Sequence, residues 1–349
     1  MIKKKVVIIG GGFAGSIIAK NIEDNFETIL IDTKEYFEYT PGILRNVIDP
    51  DNLKKIKFKN KNYLKKSKII IGYVTEVNTN YLIINNNKLF FDYLVIVSGS
   101  SSRILFNEAI ITKKGFILSD QSNKLERAKK IVIIGGGYIG VELVGEIIDK
   151  YKDKLLNKEK EIIVIHPRTR LMNKEIKKAS LYIQDYFKKN NITIKLNEEI
   201  VKSVKYVLIT NKGTRLVFDI AFSCNGFKPN TEFMKKNFSQ SLNSENYIKV
   251  KNTLQVIGHP TIFAGGDVIA LDQLKLAQNA EEHAKIIIEN IRRIENNKEC
   301  IKYYPRPRAI IMSLGKFKGL LLYKNFVFTG FIPGVLKNLL EYWITRKYK

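Results

Sequence analysis

Six glycines in two matching groups are the residues of this 349-residue chain best arranged to do chemistry. Gly10, Gly12 and Gly15 have G-x-G-x-x-G spacing, and Gly135, Gly137 and Gly140 repeat it about 125 residues later. In such a loop the first glycine makes a tight turn and the second lets backbone approach a pyrophosphate. The third removes the side chain between helix and strand. The chemistry this allows is dinucleotide binding, with the pyrophosphate resting on the amides of a helix N-terminus. Gly11, Phe13 and Ala14 complete the first loop. A lone triplet is weak evidence, since an ordinary strand–helix turn can carry one.

Context strengthens the first group. The β-branched run at residues 6–9 predicts a buried parallel strand, residues 13–23 a helix, and residues 28–31 a second strand ending in Asp32. Asp32 stands 22 residues after Gly10, where an acid takes ribose hydroxyls. The second group has the same strand and helix, and its next strand, residues 161–166, ends in His166. No acid stands there, and Arg168 and Arg170 follow. A nearby arginine accommodates a ribose 2′-phosphate, so this site is expected to accept NADPH as well as NADH. The alternative is that these arginines are solvated surface charges. Two cradles in one chain imply two dinucleotides that meet between them.

Other segments must position these loops. Residues 33–50 read as a loop broken by Pro41 and Gly42, and residues 54–66 as a basic helix or surface segment. Short strands follow from Ile69, turning at residues 85–87, and residues 92–99 return as a buried strand. Residues 192–209 alternate like strands, with a turn at 211–213 and a last strand at 219–223. Residues 261–291 give a strand, Gly265-Gly266, Asp267 and a helix. An acid there can reach the hydroxyls of a bound polyol, although in isolation Asp267 would more often be an N-cap.

Composition narrows the classes. Hydrophobic content of 45% is globular, and no stretch is apolar for long enough to span a bilayer. The expectation is a cytoplasmic chain without signal or transit peptide, because a strand begins a few residues after Met1; Ile2 excludes myristoylation. Two distant cysteines, Cys224 and Cys300, argue against a disulfide scaffold and leave no C-x-x-C. The net charge of +25 accompanies general enrichment in Lys, Asn, Ile and Tyr, as coding bias would give. A functional surface for nucleic acid or anionic membrane is the alternative. No metal site is expected.

In order, GGGFAG…ID, VIVSGSS, GGGYIGVE, CNGFKPN and FAGGDV resemble the two-dinucleotide-domain flavoprotein oxidoreductases. Within them the chain is most similar to the AIF-like, ferroptosis-suppressor-protein branch, with type II NADH dehydrogenases as near relatives. The resemblance implies an α/β fold of two Rossmann-like, glutathione-reductase-type domains, the NAD domain inserted in the FAD domain. The divisions would be 1–105 with 228–300 for FAD, 106–227 for NAD(P)H, and a C-terminal region at 301–349. It further implies FAD on Gly10–Gly15 and Asp32, with Lys34 nearby, Arg45 in contact and Val74 touching adenine through its backbone. Ser98-Gly99 would close over FAD and Asp267 would bind its ribitol or pyrophosphate. Gly135, Gly137 and Gly140 would hold NAD(P)H. Glu142 matches a family glutamate close to where nicotinamide meets flavin. Gln278 is kept from the type II dehydrogenase pattern, whose later glutamine pair is replaced by Glu282-His283; the histidine is closer to the ferroptosis-suppressor pattern.

With two cradles and no dithiol, electrons from the reduced flavin go directly to an external acceptor, and a quinone is the leading choice. Molecular oxygen and a small redox protein are the other acceptors, and a non-enzymatic, DNA-binding flavoprotein is a further alternative. Glu142 and His283 are the candidate catalytic proton handlers; as bland alternatives, Glu142 is a helix-surface charge and His283 a packed helix residue. In the tail, Val335, Leu336, Leu339, Leu340, Trp343 and Ile344 fall near one helical face, with Lys337, Arg346, Lys347 and Lys349 around it. That pattern fits an interfacial membrane helix, or one packed on the FAD domain or on a second subunit.

Overall fold

One largely parallel sheet with an antiparallel edge strand and one wholly parallel sheet carry the two glycine loops. The computed structural model describes residues 3–102, 110–111, 120–224 and 226–349. The first sheet runs in the order Gln255–Val256, His259–Ala264, Tyr93–Ile96, Lys5–Ile9, Glu27–Asp32, Lys68–Ile71. The second runs Ile110–Ile111, Ile220–Ser223, Lys130–Ile134, Glu161–His166, Thr193–Leu196, with every neighbouring pair parallel. Their central strands are β-branched runs covered on both faces: Val6, Val7 and Ile8 in one, Ile131, Val132 and Ile133 in the other, all fully buried. The chain crosses twice between the sheets, and the crossings pair, Ser100–Ser102 running antiparallel to Phe227–Pro229. The second dinucleotide-binding domain is therefore inserted into the first. The expected division between residues 105 and 106 lies outside the described residues.

Helix Phe13–Ile22 follows the first loop and packs against helix Ala277–Glu295. The later helix buries Ala280, His283, Ala284, Ile287, Ile288 and Ile291, a stripe at helical spacing. Fully buried Ile18 and Ile22 on one side, and Ile287 and Ile291 on the other, contribute about 2 kcal/mol each. In the small antiparallel sheet, strands Tyr81–Ile84 and Asn87–Phe90 are joined by Asn85 and Asn86, both at positive φ. Two left-handed asparagines make the hairpin turn whose twist suits its strands.

Two stretches differ from the sequence reading. Pro41 and Gly42 do not prevent helix; Thr40–Val47 is a 3₁₀-helix with proline in its first turn, where its missing N–H costs nothing. The basic stretch after residue 53 is no single helix. It alternates Leu53–Ile56, a strand Lys57–Lys59 and Asn60–Tyr63. Ile56, Phe58, Tyr63 and Leu64 are buried under its lysines, at spacings that match no one period.

The C-terminal region is a meander of Ile310–Ser313, Gly319–Tyr323 and Phe326–Gly330, followed by helix Phe331–Thr345. The helix lies directly on the meander, since a Cβ on Gly334 would stand 2.8 Å from the Lys318 amide nitrogen. Beyond it, Tyr348 enters the first domain and stacks on Phe37 at 3.8 Å between ring centroids, with Tyr63 edge-on at 5.2 Å. Its hydroxyl meets the Ser16 hydroxyl at 3.4 Å. Each such ring pair adds about 1 kcal/mol beyond its buried area, which ties the tail to the first domain.

Candidate functional site

The two glycine loops are near copies in geometry. Gly10 and Gly135 have φ of 109° and 110°. Their amides donate to Ile31 O and Ile165 O, each at 2.8 Å. A Cβ on Gly15 would stand 1.8 Å from Gly10 O, and one on Gly140 would stand 1.9 Å from Gly135 O. At Gly12 and Gly137, by contrast, nothing lies within 4 Å of a Cβ. These two are the N-caps of helices Phe13–Ile22 and Tyr138–Leu156, and neither helix has a side-chain cap or an acid in its first turn. Unfilled space above uncapped amides is what a pyrophosphate needs. Phe13 is buried edge-on against Phe37, and Ala14 is buried beside it.

The strand ends then differ. Asp32 Oδ2 accepts from the Gly11 amide at 2.5 Å and Oδ1 from the Lys34 amide at 2.8 Å. His166 fills the equivalent place in the second loop, its Nδ1 accepting from the Gly136 amide at 3.2 Å. Burial lowers the His166 pKa against hydrogen bonds to the Asn173 side chain and the Arg170 backbone, and the neighbouring Arg168 acts in the same direction as burial. Arg168 itself is exposed. The Lys34 ammonium lies 3.8 Å from Glu38. Val74 begins strand Val74–Val77 at the edge of the small sheet, opposite Ile84.

Ser98 and Gly99 are clasped by Asn230. The Ser98 hydroxyl donates to Asn230 O at 2.6 Å, and the Asn230 amide returns a bond to Ser98 O at 2.9 Å. Asp267 Oδ2 accepts from the Ser100 hydroxyl at 2.8 Å. His283 is fully buried behind this turn: Nδ1 accepts from the Gly266 amide at 3.0 Å, and Nε2 meets the Gln273 side-chain amide at 2.9 Å. Tyr303 packs edge-on to its ring at 4.6 Å. Both nitrogens are taken, so handling a proton would require one of these bonds to break. Burial, then Lys275 and Arg308, push its pKa down to about 4, with Glu282 opposing.

That depression has a sign that can be measured. An unfolded histidine protonates near 6.5, whereas this one stays neutral until about pH 4, so the unfolded state binds the extra proton between them. Stability from His283 is complete above 6.5 and falls as pH drops toward 4. Melting temperature followed across this window should fall less steeply in His283→Gln than in the parent.

Glu142 belongs to a buried charge cluster that links three parts of the chain. Its Oε1 accepts from the Ser313 amide at 3.0 Å and pairs with the Lys337 ammonium of the C-terminal helix. One helical turn on, Glu146 Oε2 lies 3.5 Å from Arg45 Nε, and Oε1 accepts from the Ser313 hydroxyl at 3.2 Å. Arg45 also donates to Asn338 Oδ1 at 3.0 Å and lies 4.0 Å from Glu341. Burial raises the Glu146 pKa against the opposing pull of Arg45. Arg45, Glu142, Glu146, Ser313, Lys337 and Glu341 line a small pocket beside Pro41, Gly42 and Leu44. Glu146, Ser313, Asn338 and Glu341 had not been singled out from sequence. The i, i+4 spacing of Glu142 and Glu146 was the available signal, because it sets both on one helix face. Arg45 thus joins the first domain to the second and to the tail through Glu146, Asn338 and Glu341.

Among the described residues no group of three His, Cys, Asp or Glu side chains is arranged to hold a metal ion. Cys224 is buried and Cys300 half-buried, both free, and burial raises both thiol pKa values. No helix among the described residues is long and apolar enough to cross a membrane.

Two nucleotide folds, one inserted in the other, with an acid at the first strand end define a two-dinucleotide flavoprotein, and comparison with known proteins agrees. Residues 4–284 match the model for pyridine nucleotide-disulphide oxidoreductases, and the chain belongs to that family. Apoptosis-inducing factor homolog A of Dictyostelium discoideum is 34% identical, over 96% of this chain and 89% of that protein. Human ferroptosis suppressor protein 1 is 27% identical, over 90% and 87%. Among solved structures, the sulfide:quinone oxidoreductase of Aquifex aeolicus superposes with a TM-score of 0.87 at 18% identity, covering 99% of this chain and 91% of that one. NDH2 of Plasmodium falciparum, solved with NADH, gives 0.84 at 16% identity, covering 99% and 96%. The protein is an FAD-dependent oxidoreductase that uses NAD(P)H, and both loops fit their nucleotides.

Proposed function

We propose that the electron acceptor is a quinone, reduced at a membrane surface. One observation carries this reading: the C-terminal helix is amphipathic in reverse. Its polar residues Lys337, Asn338 and Glu341 turn inward to the Glu142–Arg45 cluster. Its apolar residues Phe331, Ile332, Leu339, Tyr342 and Trp343 face outward, Trp343 at 72% exposure. Phe317, Phe326 and Phe328 of the adjoining meander are exposed as well, and the cations of Lys316, Lys324 and Arg346 lie over the rings of Phe317, Tyr323 and Tyr342. An apolar patch with a basic rim suits the interface of an anionic bilayer. An acceptor dissolved in lipid would then arrive beside a buried carboxylate.

FAD, when bound in the first cradle, supplies the hydride acceptor and the electron store. The chain supplies the rest. Amides of the Gly10–Gly15 loop bind pyrophosphate, Asp32 and Asp267 hold hydroxyls, and Asn230 fixes Ser98-Gly99 at the domain crossing. Gly135, Gly137 and Gly140 hold the second nucleotide. Glu142 holds or delivers a proton at its other carboxylate oxygen, Oε2, while Lys337 and the Ser313 amide fix Oε1. His283 acts as a positioning residue that fixes the Gly266-Asp267 turn. The Arg45–Glu146 pair closes the far side of the pocket to water. The roles given to Lys34, Arg45 and Val74 at FAD remain those the resemblance implies. With two separate, buried or half-buried cysteines, a protein dithiol is not the relay.

Steady-state oxidation of NADH or NADPH with a short-chain quinone, on protein of verified flavin content, tests the acceptor. Faster turnover with a small redox protein than with any quinone would displace the reading. For the membrane, Leu339→Ser with Trp343→Ser should abolish flotation with anionic vesicles while sparing turnover with a soluble quinone. Equal flotation of parent and variant would reject it. Deleting the helix is a poorer test, because Lys337 and Tyr348 would leave with it.

A further inference from the structure

Helix Phe331–Thr345 and the turn after it are held at two points, one on each domain. Lys337 pairs with Glu142, on the helix that follows the second glycine loop. Past the helix the chain turns at Arg346–Tyr348, and Tyr348 enters the first domain with 5% of its surface exposed. Lys20, on the helix that follows the first glycine loop, donates to Lys347 O at 3.4 Å.

Two routes run from Tyr348 to the Gly12–Phe13 peptide. The apolar route passes through Phe37, which stacks on Tyr348 at 3.8 Å and meets Phe13 edge-on at 5.2 Å. Phe58 and Tyr63 close this box of rings, at 6.2 and 5.2 Å from Tyr348. The polar route passes through Ser16, which is fully buried. A hydroxyl has one proton, and that of Ser16 goes to Gly12 O at 2.8 Å, so Tyr348 is the donor in their 3.4 Å contact. Gly12 is the N-cap of helix Phe13–Ile22, and the Phe13 amide is the first of those on which a pyrophosphate would rest.

We propose that Tyr348, through its stack on Phe37, is a positioning residue for FAD, so that docking of the tail and binding of the flavin strengthen each other. This rests on the first loop being the flavin cradle, and on neither the acceptor nor a membrane. The ligand side of the turn is open, since nothing lies within 4 Å of a Cβ on Gly12. Its support therefore comes from the buried side, where Phe13 and Ser16 pack. Phe37, Phe58 and Tyr63 belong to the same domain as the loop, whereas Tyr348 arrives from the tail. When the tail lifts, one face of Phe37 loses its partner, and the rings that carry Phe13 shift toward the void. Backbone amides cannot follow a phosphate by changing rotamer, so a displaced turn binds it less well. The coupling is reciprocal: the factor by which the docked tail tightens FAD is the factor by which FAD tightens the tail.

Titration of the flavin-stripped full chain with FAD, followed by flavin fluorescence, tests one direction. Tyr348→Ala should weaken FAD about tenfold, and Tyr348→Phe, which keeps the stack, should return it to within about threefold of the parent. At saturating FAD, NAD⁺ should bind Tyr348→Ala as it binds the parent. Unchanged FAD affinity in Tyr348→Ala overturns the proposal, as does a Tyr348→Phe no better than Tyr348→Ala. A parallel loss of NAD⁺ affinity also overturns it, by making Tyr348 a general structural residue. Hydrogen exchange on the unsubstituted protein tests the other direction without any variant. Amides of residues 342–348 should exchange about tenfold more slowly with FAD than without. Strand Val207–Thr210, paired within its own small sheet, should not change. No slowing at the tail, or equal slowing at both places, overturns the coupling. A parent that binds no FAD rejects the flavin cradle itself.

Discussion

Gly15→Ala should yield a protein that neither retains FAD nor keeps its full stability. The added Cβ would stand 1.8 Å from Gly10 O, a separation real side chains never show. Strand and helix must move apart, because a Cβ is fixed by its own backbone and Gly10 O is backbone, so nothing can rotate away. A loss of about 3 kcal/mol is expected, the upper part of the usual overpacking range. The flavin-to-protein absorbance ratio of the purified variant, and thermal unfolding of the flavin-stripped protein, would both register it. Gly12→Ala is the matched control. Nothing lies within 4 Å of that Cβ, so the stripped protein should keep its stability to within about 1 kcal/mol. Its FAD affinity should still fall about tenfold or more, because backbone can no longer approach the pyrophosphate. Normal FAD content in Gly15→Ala would mean that this loop is not the flavin cradle.

The second large effect concerns Lys337 and Glu142, whose side chains are 12% and 13% exposed. Removing one member of a buried pair leaves the other charge without compensation, at a cost of about 3–5 kcal/mol. Lys337→Met and Glu142→Gln should each melt well below the parent. Lys337→Met/Glu142→Gln should recover part of the loss, with a coupling energy of about 2 kcal/mol. Turnover with quinone should fall about a hundredfold in Glu142→Gln, the scale of a lost acid–base group. NAD(P)H affinity should hold, since the glycine loop is untouched. Strict additivity of the two stability losses would remove the pair from the structural account. Unchanged quinone turnover would remove Glu142 from the chemistry.

The glycine loops were legible in the sequence because each is made within one short stretch. Strand, turn and helix follow one another, so spacing alone fixes which backbone atoms must meet. Asp32 and His166 were legible for the same reason, standing at the ends of strands whose register is set by β-branched runs. The Asn85-Asn86 hairpin was nearly so. The buried residues among the lysines of 54–66 were not, since their spacing follows three short elements in turn.

The sequence by itself determined the two cradles, the acid at one and its absence at the other, the lack of a cysteine pair, and an amphipathic final helix. Only the tertiary structure decided which way that helix faces. Periodicity marks an apolar stripe and says nothing about the side turned to the protein. Close approach at Gly334 and the ion pair of Lys337 with Glu142 turn the polar side in and leave Trp343 out. Arg45, Glu146 and Glu341 meet for the same kind of reason. They lie on three elements far apart in the chain, and packing of the two sheets and the tail brings them to one pocket. Local spacing can encode a loop; a contact across domains exists only once the domains are in place.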